Sequence, residues 1–150
     1  MINSKPLLTG EINGPFLFTN FYSSSRILFI SFSANATLYR VDVSNVNNWN
    51  VQALHLKSSF NRDTEGGQLS VAFNPSANMA YAVSTYASNV VVIDLTTFAV
   101  TSNSFNYSTT VGTETMLALY TSSNTLWIVP NNCRVELNYV YQVDVSTRWA

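Results

Sequence analysis

The chain has 150 residues, of which only 10% are charged, and a formal net charge of −1. That length supports one domain able to bury about two-thirds of its surface. That charge leaves no basic footprint for nucleic acid and no polybasic patch for a membrane surface. No apolar run approaches the roughly 20 residues of a membrane-spanning helix. Hydrophobic residues reach 47%, and many are β-branched or aromatic, which favours sheet over helix. An ordinary soluble domain is about 25% charged; here 18 Asn and 34 Ser or Thr supply the polarity instead. Such a surface points to an extracellular, cell-surface or assembly-forming protein. Residues 1–16 (MINSKPLLTGEINGPF) hold no continuous apolar core, so no signal peptide is expected within this chain. Cys133 is the sole cysteine and His55 the sole histidine. No intrachain disulfide can form, and neither a zinc site nor any other metal or cofactor is expected.

In chain order, residues 5–12 read as a short N-terminal strand closed by Asn13-Gly14-Pro15. Residues 16–22 read as a strand, followed by a Ser23-Ser24-Ser25 turn. Residues 26–32 (RILFISF) are almost continuously apolar, as in a strand buried on both faces. Residues 37–43 and 51–57 alternate like half-buried strands. A charged connection, residues 58–67, holds Arg62, Asp63, Glu65 and the Gly66-Gly67 pair. A second set of strands follows at 68–73, 79–85, 90–95 and 99–105. Its first turn, Asn74-Pro75-Ser76-Ala77-Asn78, has strong turn chemistry. A third set at 115–120, 125–129 and 139–145 lacks a fourth member. No stretch carries a helical stripe better than a period of two.

One phrase recurs: Arg40-Val41-Asp42-Val43-Ser44, Val92-Ile93-Asp94-Leu95-Thr96 and Gln142-Val143-Asp144-Val145-Ser146. Its aspartates stand 52 and 50 residues apart. A period of roughly 40–50 residues, each unit holding several short strands, is the mark of propeller blades. The expected fold is all-β and β-propeller-like, with three four-stranded antiparallel blades, the last incomplete. Residues 1–15 form an N-terminal strand or linker, and the blades cover about 16–60, 66–108 and 113–150.

The stretch Ala80-Tyr81, Tyr86-Ala87-Ser88-Asn89 and Val90-Val91-Val92-Ile93-Asp94-Leu95-Thr96-Thr97 resembles the YVTN-type β-propeller repeat and, more loosely, other WD-like propellers. In that family a tyrosine-led strand meets a small polar turn, then a strand ending Val-Ile-Asp with Thr nearby. This chain departs from the pattern at Thr85, where the family carries Asn, and its turn is one residue short. The resemblance covers residues 16–146 as architecture and 79–97 at motif level. It implies a fold, and propellers host enzymes, binding modules and structural proteins alike.

Asp42, Asp94 and Asp144 have two readings. They are an acidic metal-binding ring, or each carboxylate accepts backbone N–H groups of the turn that follows. The second is preferred, because equivalent positions of successive blades lie too far apart to share an ion. Trp49, Phe98 and Trp149 follow those aspartates. They read either as a sugar-stacking platform or as rings packed over a blade edge. His55 is expected on an outer strand facing solvent, and no nucleophile elbow accompanies it. Arg134 and Glu136 follow Cys133 in a turn-rich stretch.

In a propeller, the loops joining second to third strands share a face with the loops between blades, and loops on a rigid scaffold carry binding. That face is expected to collect Arg62, Asp63, Glu65, Tyr86, Asn89, Arg134 and Glu136. Asn35 (Asn-Ala-Thr) and Asn106 (Asn-Tyr-Ser) are candidate glycosylation sites. The expected function is a non-enzymatic binding or structural module of an extracellular or filamentous assembly. Its partners are further copies or other protein subunits, with a glycan as a further ligand and no nucleic acid. The alternative is a fragment of a larger propeller enzyme or of a carbohydrate-binding propeller.

Overall fold

The structure, a computed structural model, describes residues 16–32, 36–45, 47–61, 69–84, 87–106, 114–120, 124–131 and 141–146. The chain is all-β and folds as three antiparallel sheets taken in order. The first is a meander of β1 (Phe16–Tyr22), β2 (Ile27–Phe32), β3 (Thr37–Asp42) and β4 (Asn50–His55). The second runs β5 (Leu69–Asn74), β6 (Met79–Ser84), β7 (Asn89–Asp94) and β8 (Ala99–Val100), and β9 (Phe105–Asn106) also pairs with β7. The third is β10 (Glu114–Tyr120), β11 (Thr125–Asn131) and β12 (Tyr141–Asp144). Two single 3-10 turns, Lys57–Ser59 and Pro75–Ala77, are the helical elements among the described residues. None is long and apolar enough to cross a membrane. The expected strand at residues 5–12 lies outside the described residues.

The strand expected over 99–105 is in fact split. Asp94 pairs with Ala99 and Ile93 with Val100, whereas Val90 pairs with Phe105 and Asn89 with Asn106. The outer strand thus carries two more residues than its partner between these pairs. The excess bulges out, held by its own hydroxyls. The Val92 N–H donates to Ser104 Oγ at 3.2 Å, the Thr101 N–H donates to the Val92 carbonyl at 2.8 Å, and the Asn103 N–H donates to Thr101 Oγ1 at 3.2 Å. Ser and Thr offer the backbone these local partners in place of a ladder bond, which a strand pattern of apolar residues does not reveal.

The three sheets share one local device. The first two strands of each are joined by a four-residue connection ending in a left-handed residue: Arg26 (φ 53°), Asn78 (φ 53°) and Asn124 (φ 49°). Asparagine tolerates this region well, and arginine is an uncommon occupant of it. The carbonyl of that residue accepts the N–H of the residue after the repeated aspartate. The three bonds are Val43 to Arg26 (2.9 Å), Leu95 to Asn78 (2.8 Å) and Val145 to Asn124 (2.9 Å). The first turn of each sheet is therefore clamped to the end of its third strand by the same bond.

With those turns as markers, the core falls into register. Five apolar positions repeat on one face: Leu28, Ile30, Tyr39, Val41 and Val43 in the first sheet; Ala80, Ala82, Val91, Ile93 and Leu95 in the second; and Leu126, Ile128, Tyr141, Val143 and Val145 in the third. The second set packs on Phe29 and Leu38 of the first sheet. The third set packs on Tyr81, Val83, Val90 and Val92 of the second. Each sheet thus lays the same face, called here the rear face, on the front face of its predecessor. The first sheet's rear face forms a small cluster of its own around Ile30 and Val41. The second sheet alone has its two faces covered by described neighbours.

Candidate functional site

The repeated aspartates sit at the ends of β3, β7 and β12, each followed by a turn. Asp42 Oδ1 accepts the N–H of Ser44 at 2.8 Å, and Asp144 Oδ1 accepts that of Ser146 at 2.8 Å. Asp94 Oδ1 accepts two, from Thr96 at 2.7 Å and Thr97 at 3.0 Å. Bonds from Ser44, side chain and backbone, hold the Asp42 carboxyl below its ordinary 3.8, with a smaller contribution from the Arg40 charge. The equivalent bonds from Ser146 do the same for Asp144. Donors that favour the charged form lower a carboxyl pKa. These carboxylates are engaged with their own chains, one to a sheet. Among the described residues no group of three or more His, Cys, Asp or Glu is placed to hold a metal ion.

At one end of the first two sheets, the chain leaving the first sheet meets the β6–β7 connection. The Asn61 side chain mimics a backbone amide there. Its Oδ1 accepts the Ser88 N–H at 3.1 Å and its Nδ2 donates to Ser88 Oγ at 3.0 Å. Asn89 completes the joint: its Oδ1 accepts the Asn61 N–H at 3.0 Å and its Nδ2 donates to the Ser59 carbonyl at 3.0 Å. Asn89 is only 6% exposed. Its placement on an open binding face is therefore corrected, because both ends of its amide are spent holding two segments together. Buried polar groups require such partners. Ser88 is read from the sequence only as part of the repeat's small polar turn, and nothing there marks Asn61, one Asn among many, as a bridging amide.

Arg62, Asp63, Glu65, Tyr86, Arg134 and Glu136, expected with Asn89 on that face, lie outside the described residues, as do Asn35, Cys133 and Trp149. Asn106 sits on β9, exposed, and its Oδ1 accepts a 3.4 Å bond from Asn61 Nδ2. His55 is exposed at the end of β4, its Nδ1 3.0 Å from the Thr37 hydroxyl on the neighbouring strand.

The aromatic residues divide into two groups. Phe29 is buried at the joint of the first and second sheets, with Phe73 at 5.4 Å, Phe98 at 6.2 Å and Tyr22 edge-on at 5.3 Å between ring centroids. Such offset and edge contacts are favourable beyond the area they bury. Phe98 therefore reaches from the β7–β8 turn onto the preceding sheet. In contrast, Phe21, Trp49 and Trp127 are the large hydrophobic side chains most open to solvent among those described, at 53%, 39% and 36% exposed.

A scan against protein-family models finds no match, and a search of the curated proteins finds none. Among solved structures that match is Hsv2 of Kluyvelomyces marxianus. It is 11% identical in sequence, with a TM-score of 0.39 over 84% of this chain and 50% of that one. This chain thus spans about half the length of Hsv2, and an overlap that loose assigns neither fold nor function.

Proposed function

We propose that the chain is an arc of a β-propeller that serves as a non-enzymatic binding or structural module within an extracellular or filamentous assembly. The observation that carries this reading is the repeated rear face. Five equivalent apolar positions in the second sheet, and again in the third, meet the front of the sheet before. A stack built by one repeated operation is the geometry of blades around an axis. The most regular polar residues, Asp42, Asp94 and Asp144, serve that geometry by closing turns. The loops at the blade ends are then the surface on which partners, protein or glycan, are read.

The test is a thermal-shift titration of the full chain with calcium, with zinc and with a panel of mono- and oligosaccharides. Solution scattering, run alongside, fits the overall shape. The module reading expects a profile matching three stacked sheets and no saturable rise in Tm with any metal. A calcium- or zinc-dependent rise that Asp94→Ala abolishes would restore the metal-ring reading. A saturable rise with one sugar would make the chain a carbohydrate-binding propeller.

A further inference from the structure

The three exposed aromatics occupy the same repeat positions as the buried Phe29 and the half-buried Phe73 and Phe98 at the joint of the first two sheets. Phe29 stands three residues after the left-handed Arg26, and Trp127 three after the left-handed Asn124. Phe73 stands five residues before Asn78, and Phe21 five before Arg26. Phe98 directly precedes β8, the strand after the repeated aspartate's turn; Trp49 directly precedes β4 in the same place. In the buried joint a front-face ring, Phe29, meets a rear-face ring, Phe73, and a turn ring, Phe98. Trp127 is a front-face ring with no sheet after it among the described residues. Phe21 and Trp49 are the rear-face and turn rings of the sheet with no described sheet before it.

We infer that two copies of this chain dock head to tail, with Trp127 of one seated against Phe21 and Trp49 of the next. The contact repeats the joint between the first and second sheets in trans. The inference rests on the arc reading above. The floor of the receiving face is already closed, with Val41 at 0% exposed. What it offers is the open Phe21 and Trp49 with the half-buried Leu28 and Val43 at their side. Trp127 pairs with Gln142 on β12, beside the Thr125–Asp144 pair, so the inserted patch is one indole next to polar residues. A single aromatic anchor in an apolar seat is the usual form of an interaction hot spot. The two surfaces differ, so the contact is heterologous, and it makes a ring if the rotation closes and a filament if it does not.

The experiment is sedimentation and light scattering of the full chain over a concentration series, with Trp127→Ala and the double variant Phe21→Ser/Trp49→Ser. Wild type is expected to associate. Each variant is expected to weaken association by roughly thirtyfold or more, as truncation of an anchor does, with circular dichroism unchanged. Mixing the two variants is expected to yield a 1:1 dimer, because each retains the surface that the other lacks. Trp127→Phe, which places there the ring that position 29 already carries, is expected to associate like wild type. Variants that associate as wild type does, or a mixture that stays monomeric, overturn the docking. So does a wild type that is monomeric until residues 1–15 are deleted, since the occupant would then be the chain's own terminus. A monomeric wild type whose scattering still fits three stacked sheets overturns the docking alone; a profile that does not fit them removes the arc as well.

Discussion

The second and third sheets place equivalent aromatic rings in opposite environments. Tyr81 on β6 is 0% exposed, pressed between its own sheet and Leu126, Ile128 and Val145 of the next; Trp127 on β11, the same repeat position, is 36% exposed. Each stands three residues after a left-handed Asn and opposite an alanine, Ala72 or Ala118; on its other side Tyr81 meets Val92, whereas Trp127 meets Gln142. The register is the same in both sheets, so the difference does not come from the pairing. It comes from whether a further rear face lies on that front. A large ring in this position is a joint-forming residue, and its energetic weight depends on the neighbour it meets.

Substitution at these positions sharpens the comparison most. Tyr81→Ala and Phe29→Ala are expected to destabilise the chain by about 3–5 kcal/mol each, the cost of emptying a packed aromatic site. Trp127→Ala should cost under about 1 kcal/mol in dilute, monomeric protein. Urea denaturation followed by tryptophan-independent circular dichroism reads all three. An equally large loss at Trp127 would show that the third sheet's front is covered after all.

A smaller contrast lies in the turns. Asp94 in the second sheet closes two backbone N–H groups, whereas among the described residues Asp42 and Asp144 close one each and take a second bond from the Ser44 or Ser146 side chain. Asp94→Ala is expected to cost about 1 kcal/mol, and Asp42→Ala measurably less in the same urea series. Equal midpoints for the two would mean that the second backbone bond adds nothing.

The joint between the first and second sheets holds one misfit. The Tyr22 hydroxyl is buried without a hydrogen-bond partner among the described residues, and burial pushes its pKa up to about 12. Tyr22→Phe removes the unsatisfied oxygen and keeps the ring on Phe29. A gain of roughly 0.5 kcal/mol is expected. A loss would reveal a partner for that hydroxyl.

The smallest expected effect is acidic. The folded chain holds the carboxyls of Asp42 and Asp144 below their ordinary value. Their contribution is therefore fully present above the ordinary carboxylate pKa and is lost as pH falls through the lowered, folded-state value. The double variant Asp42→Asn/Asp144→Asn keeps an oxygen acceptor at each turn and has nothing to titrate. Its Tm should fall less steeply than that of wild type below the ordinary carboxylate range. Identical slopes would mean that other carboxyls govern the acid limb.

Much of this architecture can be read from the chain alone. The apolar-Asp-apolar-Ser/Thr phrase marks the end of the third strand in every sheet, and short apolar runs between turn residues locate most strands within one or two residues. These features are legible because they are local: a period of two, a carboxylate two residues before the N–H it accepts, a turn rich in Asn, Pro and Ser. The split outer strand was not legible, since it depends on which hydroxyl, Ser104, takes the Val92 N–H across the sheet. Nor was the role of Asn89, whose burial is set by Asn61, 28 residues earlier. The spacing of Phe29, Tyr81 and Trp127 behind their turns is written in the sequence, but which of them is a core residue and which an open ring is not. Burial is a property of the neighbouring sheet, and only the stacking of one sheet's rear face on another's front decides it.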